Sequence, residues 1–552
     1  MSASVPRGRI LFLHFFRRFF DNDTLQSEGD TTTTIVRALS AFAAPGLMVA
    51  FFLQNQYPQR SLWGRIEDQY FFVLTSFVVM GAVTIFEWEM LFPDRIDFLV
   101  LTPLPLQRSQ LMVAKAAALL CFLLMFLAGT SLLSGILYPA VCEGPLLRQL
   151  FAHAVAVGMA GMFSACSVLV MVGVLRCCLP DRLFRLATPF LQAMLTAALA
   201  LLVIQYARYG DSIHGLLASG STFAKWIPPF WFLAVYDRIL FGAAAPGFAN
   251  SLGRIAWCAC GVCGALVLLL YPLTWARMHR MSIEGALGRR TAPTRALQRV
   301  IHWFIRRPAE RAMFHFLGQT IRRNARYQIY LAMYAGVGFS LAMACAFVLE
   351  THGTSVTPVV ARFGLHAVVP LLIFWTVAGL RTAFSFPIDL PARWVFRVSG
   401  ADSRDLVRAG WRWTLAASTV VWSSSLLMLA DVGWTGQELA VQFVFGMCLC
   451  LLLADAFFGA RSEPLIQPRL PGRSQFALFL TLYVGVLTPG VFCIVWGELH
   501  VEVAMWLLLP LMIGTVVAHV FFRRSQHAPM ETEEEREGYE GEFQLLNLSP
   551  GP

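Results

Sequence analysis

Charge is scarce in this sequence: Asp, Glu, Lys and Arg make up 14% of the 552 residues, against roughly 25% in an average soluble domain. With 57% hydrophobic residues and a mean hydropathy of +0.62, the shortage excludes a soluble globular protein and identifies an all-α polytopic membrane protein. Lysine is almost missing, since 41 of the 43 basic residues are Arg and only Lys115 and Lys225 are not. Neither lysine lies in a Gly-rich setting and G-x-x-x-x-G-K-[ST] is absent, so the chain is not expected to bind and hydrolyse ATP through a phosphate loop. H-E-x-x-H and G-x-S-x-G are absent too. The first apolar stretch carries Arg17 and Arg18 in its middle, so no cleavable signal peptide is expected.

The twelve cysteines lie mostly in apolar runs, where Cys acts as a small hydrophobe. Cys258, Cys260 and Cys263 share one apolar helix, but positions i and i+2 point apart, so they are not expected to surround a metal. No metal or cofactor in this chain is expected. Ionisable residues inside the expected spans are few: Asp455, Glu502, His366 and His519. For both histidines, ordinary hydrogen-bonded helix packing is preferred over a proton relay.

What is present is a series of apolar runs of crossing length. Twelve are expected, at about 36–54, 70–86, 111–137, 151–175, 186–206, 254–275, 328–349, 363–380, 413–430, 439–457, 475–496 and 501–522. Twelve spans of about 20 residues take roughly 240 residues, which leaves no continuous stretch for a soluble catalytic domain of about 100–150. Basic residues alternate between sides: 35 fall on the side of the N-terminus and 8 on the other. By the positive-inside rule both termini are then cytoplasmic and the span count is even. A bacterial cytoplasmic membrane is the expected location, the lipid bilayer the surrounding, and no nucleic-acid partner is implied.

The layout repeats. Residues 1–275 form a first six-span half and 328–524 a second, joined by a basic linker at 276–327, with an acidic tail at 525–552 in which Glu531 to Glu542 packs seven Glu into twelve residues. An amphipathic segment precedes each half. In the first, at 8–21, Phe12, Phe15, Phe16, Phe19 and Phe20 oppose His14, Arg17, Arg18 and Asp21, a pattern suited to the membrane interface. In the second, after Pro308, Met313, Phe316, Leu317 and Ile321 form the apolar face and Arg311, His315, Arg322 and Arg326 the basic one. Residues 226–243 hold Asp237 and Arg238 in a short apolar run, a poor span and a better re-entrant element. Ala332, Gly336 and Ser340, at four-residue spacing, permit close helix approach.

Each half carries one prominent charged, Pro-containing loop between its second and third spans. The first, at 87–115, contains Phe92-Pro93-Asp94-Arg95, then Asp97, then Leu101-Thr-Pro103-Leu104-Pro105-Leu106, Arg108 and Lys115. The second, at 381–412, contains Phe386-Pro387-Ile-Asp389, then Arg393-Trp394, Arg397, Arg404 and Arg408. The prolines stop the helix and a new one restarts directly into the third span.

The Leu-x-x-Leu-Pro-Leu run at Leu101 to Leu106, closing in Val113-Ala-Lys115, resembles the cytoplasmic coupling segment of ABC exporter permeases of the type-2 membrane-domain family. That family also has an interfacial elbow helix, six spans per half and re-entrant outer elements between the fifth and sixth. The second loop departs from the motif, with Leu390-Pro391-Ala-Arg-Trp-Val-Phe-Arg397 in place of Leu-Pro-Leu and no Lys before span nine. The resemblance implies a permease that is not itself an enzyme, coupled to a separate ATP-binding subunit, two copies of it for two fused halves, with ATP held by that partner. It also implies that Asp94, Arg95, Asp97, Pro103, Pro105, Arg108 and Lys115, with Pro387, Asp389, Arg393, Trp394, Arg397, Arg404 and Arg408, serve the coupling contact. Two other classes compete. Twelve-span facilitators share the six-plus-six plan, but Asp94-Arg95 lacks their flanking glycines. A membrane enzyme would need an interfacial cluster, for which Glu87, Glu89, Asp94 and Asp97 are the only candidates.

Overall fold

The computed structural model describes residues 7–19, 31–57, 59–93, 95–101, 103–209, 213–218, 222–283, 305–352, 355–385, 403–459 and 490–525. It is a helical bundle: an all-α polytopic membrane fold with no sheet core. In the first part α1 (Arg7–Arg18) is followed by α2 (Thr31–Leu53), α3 (Leu62–Phe86), α4 (Arg95–Leu101), α5 (Arg108–Val141), α6 (Leu146–Cys178), α7 (Asp181–Tyr209), α8 (Ile213–Ala218), α9 (Pro228–Phe241) and α10 (Gly247–Ile283). The second part contains α11 (Pro308–Arg323), α12 (Ala325–Ala346), a hairpin of β1 (Phe347–His352) and β2 (Ser355–Val360), α13 (Arg362–Ser385), α14 (Ser403–Asp431), α15 (Gly436–Gly459), α16 (490–503) and α17 (Leu508–Ser525).

Among the described residues ten helices are long and apolar enough to cross a membrane, and each coincides with one of the twelve expected spans. The first expected span falls on α2, whose apolar part is Ala43–Leu53. Most of the eleventh lies outside the described residues. Several boundaries differ from expectation, and two of the differences have a visible cause. α3 starts at Leu62 rather than near 70, because Ser61 caps it by accepting a hydrogen bond from the Gly64 amide at 3.1 Å and Arg60 neutralises Asp68, which the earlier start buries. The seventh span ends at Ala346 rather than 349, because Phe347 onward pairs as an antiparallel ribbon, Phe347 opposite Val360 and His352 opposite Ser355. The β-branched residues Val348, Thr357, Val359 and Val360 suit that ribbon.

The two amphipathic segments form helices that pack on the third span of their own half. Leu11, Phe15 and Phe19 of α1 are buried, with Phe19 stacked on Phe122 of α5 at 4.7 Å between ring centres. On α11, Pro308 occupies the first turn, where its missing N–H costs nothing. Met313 and Leu317 are buried against α14, and Phe314 stacks on Trp413 at 5.6 Å. Of the expected linker, residues 276–283 continue α10 and 284–304 lie outside the described residues.

The halves meet where α12 crosses α7. A methyl group on Gly336 would lie 2.6 Å from the Ala193 carbonyl oxygen and 2.8 Å from Thr196 Cβ, so only glycine allows this approach. Ala332 and Ser340, on the same face, are buried with it. α9 is a 14-residue helix, too short to cross about 30 Å of hydrocarbon, and it packs among α3, α6 and α10.

Candidate functional site

The end of the bundle that carries α1 and α11 holds the first Pro-containing loop. Pro103 and Pro105 stop α4 and delay the next helix to Arg108, so the intervening turn projects. Leu104 is 48% and Val100 59% exposed, and Pro103, Pro105 and Arg108 are exposed beside them. Behind this tip the loop is fixed. Phe98 meets Trp275 and His279 of α10 edge-on at 5.4 and 5.5 Å. Asp97 is buried, bonded to Arg18 of α1 and, at 2.9 Å, to Lys115 Nζ of α5. Lys115 also lies over the Phe15 ring at 5.3 Å.

The sequence-derived set therefore separates. Pro103, Pro105 and Arg108 are surface residues of the tip, and Arg95 opens α4. Asp97 and Lys115 do not face a partner: their side chains are 5% and 3% exposed, because buried opposite charges are tolerable only when they satisfy each other. They brace the loop instead. Asp94, Pro387, Asp389, Arg393, Trp394 and Arg397 lie outside the described residues. Arg404 and Arg408 stand on the first turns of α14, with Arg408 3.6 Å from Asp405.

Beside Arg408 is a cleft of about 240 Å³ lined by Arg307, Glu310, Arg408, Arg412, Asp455 and Arg523. Arg412 pairs with Glu310 at 2.7 Å. Asp455 accepts from Trp411 Nε1 at 2.9 Å and pairs with His519 at 2.7 Å. His519, expected to take part in hydrogen-bonded helix packing, has the Asp455 carboxylate of α15 as its partner.

The opposite end carries two polar constellations. In the first half Arg60 chelates Asp68 at 2.8 and 3.1 Å, Asp68 accepts from Tyr57 at 3.1 Å, and Tyr57 and Tyr138 share a hydrogen bond of 3.1 Å. The Asp68 carboxylate holds the Arg60 guanidinium above its ordinary value, and burial pushes the Tyr57 phenol up. Nearby, His153 Nδ1 lies 3.3 Å from Tyr236 Oη. The next residue, Asp237, is fully buried, and among the described residues neither carboxylate oxygen has a hydrogen-bond partner; burial pushes its carboxyl up to about 7.

In the second half His366 of α13 meets Glu498 and Glu502 of α16, at 2.8 and 3.6 Å from Nδ1. Sequence reasoning missed Glu498 because it fell in the gap between the eleventh and twelfth expected spans. One helix runs through that gap. The signal was the four-residue spacing of Glu498 and Glu502, which puts both on one helix face.

Comparisons with family models, with curated proteins and with solved structures gave no match to this chain.

Proposed function

We propose that this protein is the membrane permease of an ATP-driven exporter of the ABC type, working with two copies of a separate ATP-binding subunit in a bacterial cytoplasmic membrane, with both termini cytoplasmic. The carrying observation is the projecting, braced tip of the first loop: an apolar turn (Val100, Leu104) with Arg108 at its edge, anchored through Asp97 to α1 and α5. A compliant loop would absorb a partner's motion, whereas one anchored to two helices passes it on as a rigid-body shift. Apolar and Arg contacts suit such an interface, and the positive-inside partition supports a cytoplasmic position for this end.

The test is affinity purification of the tagged chain in mild detergent, with identification of co-purifying chains and an ATPase assay. A soluble subunit with a phosphate-loop motif is expected, and Leu104→Asp with Arg108→Glu is expected to weaken its retention about tenfold or more while the permease still purifies. If the chain purifies alone from its native membrane, the reading fails. The second reading is a cation-coupled carrier, favoured by the buried His366, Glu498 and Glu502; proton- or cation-driven uptake into vesicles without ATP is the result that would select it.

A further inference from the structure

The acid-rich cluster in the second half has a composition that helix packing alone does not account for. Glu498 is fully shielded and Glu502 largely so, and they sit one helical turn apart on α16. Both converge on Nδ1 of His366, from a helix 132 residues away in sequence. An imidazolium carries one positive charge at most, so two ionised carboxylates here leave an excess negative charge in a buried place. Glu438 nearby does not relieve that excess: its carboxylate is engaged by the amide and hydroxyl of Thr435 at 2.7 and 2.9 Å and its charge is offset by Arg362.

Three further observations concern what would fill the point between these groups. Glu502 Oε1 is screened from solvent and accepts no hydrogen bond among the described residues, although it lies 3.6 Å from the imidazole nitrogen. One donor atom from each of His366, Glu498 and Glu502 falls within 4.8 Å of the others. Two ligands each about 2.05 Å from a tetrahedral ion stand about 3.3 Å apart, and the 2.8 and 3.6 Å separations from Nδ1 bracket that edge. The surroundings hold the ligands in place: the Gln442 amide, turned with its nitrogen toward the acid, donates to both Glu498 oxygens at 2.7 and 3.0 Å, and Trp434 lies against the His366 ring at 4.8 Å. Such outer contacts orient the ligands of metal sites.

We propose that His366, Glu498 and Glu502 form a binding site for a divalent transition-metal ion of the zinc type, joining α13 to α16 at the end of the bundle opposite α1. One imidazole with two carboxylates selects such an ion over Mg²⁺ or Ca²⁺, which favour all-oxygen sites. Three protein ligands leave a fourth position for water or another ligand. The inference does not rest on the permease reading.

The experiment uses the full chain in detergent, stripped of metal, with Zn²⁺ alone as the probe. Its readouts are metal content by mass spectrometry after desalting and the thermal midpoint during titration. One Zn²⁺ per chain is expected, with a midpoint that rises with zinc and not with equal Mg²⁺. Glu502→Gln and His366→Asn are expected to abolish the retained ion and the zinc-dependent rise, and Gln442→Leu to weaken affinity by about tenfold or more. Because changing the fully buried Glu498 risks misfolding, the second measurement is on the unaltered protein: Co²⁺ bound here gives visible d–d bands without the near-ultraviolet thiolate absorption a cysteine site would add. A thiolate band, no zinc-dependent rise, or retention unchanged in Glu502→Gln and His366→Asn would each overturn the site.

Discussion

In the first half the third span is fastened by charges from three elements, Arg18 on α1, Asp97 on α4 and Lys115 on α5. In the second half, among the described residues, Glu310 on α11 pairs with Arg412 on α14. The sign is reversed: the amphipathic helix supplies the base in one half and the acid in the other. What recurs is a buried acid between the amphipathic helix and the start of the third span: Asp97 of α4 bonds cations on both α1 and α5, and Glu310 of α11 bonds Arg412 of α14 directly. The depth differs. It differs only at the cation on the third span, 3% exposed for Lys115 and 25% for Arg412, since Arg18 on α1 is itself 26% exposed.

That difference in depth sets the largest predicted effect. Asp97→Ala removes an acid that bonds both Arg18 and Lys115 from a buried site, where breaking an ion pair is costly. A loss of about 3–5 kcal/mol is expected, read as a lower thermal midpoint of the purified protein in detergent. Asp97→Asn, which keeps the shape but not the charge, is expected to lose nearly as much. A loss below about 1 kcal/mol in both would show that water reaches Lys115 and that the joint is no deeper than its counterpart.

Asp237 sharpens the comparison from the other side, as a buried carboxylate that accepts no hydrogen bond among the described residues. Its carboxyl is pushed from an ordinary 3.8 up to about 7 by burial. Between about pH 4 and pH 7 the folded protein therefore keeps a proton that the unfolded chain releases. Stability falls as pH rises through that window, and the penalty is fully present above about 7. Asp237→Asn mimics the protonated acid, so wild type and variant are expected to melt together near pH 4 and to diverge above pH 7. The variant should then be the more stable, by on the order of 2–4 kcal/mol. Parallel midpoints from pH 4 to 8 would mean that Asp237 stays ionised in the fold, which requires a partner.

How much of this was legible depends on the range over which each feature is determined. The spans were legible because burial in hydrocarbon needs about 20 apolar residues in a row, a local property. The close approach at Gly336 was legible as a small-residue pattern, but not that α7 would be its neighbour. The charged pairs were legible only as isolated residues. Asp97 resembles a surface acid until Arg18, 79 positions away, reaches it, and His366 resembles a packing residue until Glu498 meets it across 132 positions. The hairpin at 347–360 was hidden because its Phe-Val-Leu start continues the hydropathy of the span before it.

The smallest expected effect concerns the second joint. Glu310 is 2% exposed while Arg412 keeps a quarter of its side chain in contact with solvent, so water already supplies part of what the pair supplies. Arg412→Ala is expected to destabilise by about 1.5–3 kcal/mol, the range of a hydrogen bond to a charged group, and Arg412→Lys by less, since the ammonium keeps the charge but loses the planar donor set. The measurement is the thermal midpoint beside that of Asp97→Ala in the same detergent. The expected order, Asp97→Ala below Arg412→Ala below Arg412→Lys, holds only if burial of both partners governs the strength of each joint. If Arg412→Ala costs as much as Asp97→Ala, the partly exposed arginine is as tightly held as the buried lysine, and the two halves are equivalent in strength as well as in plan.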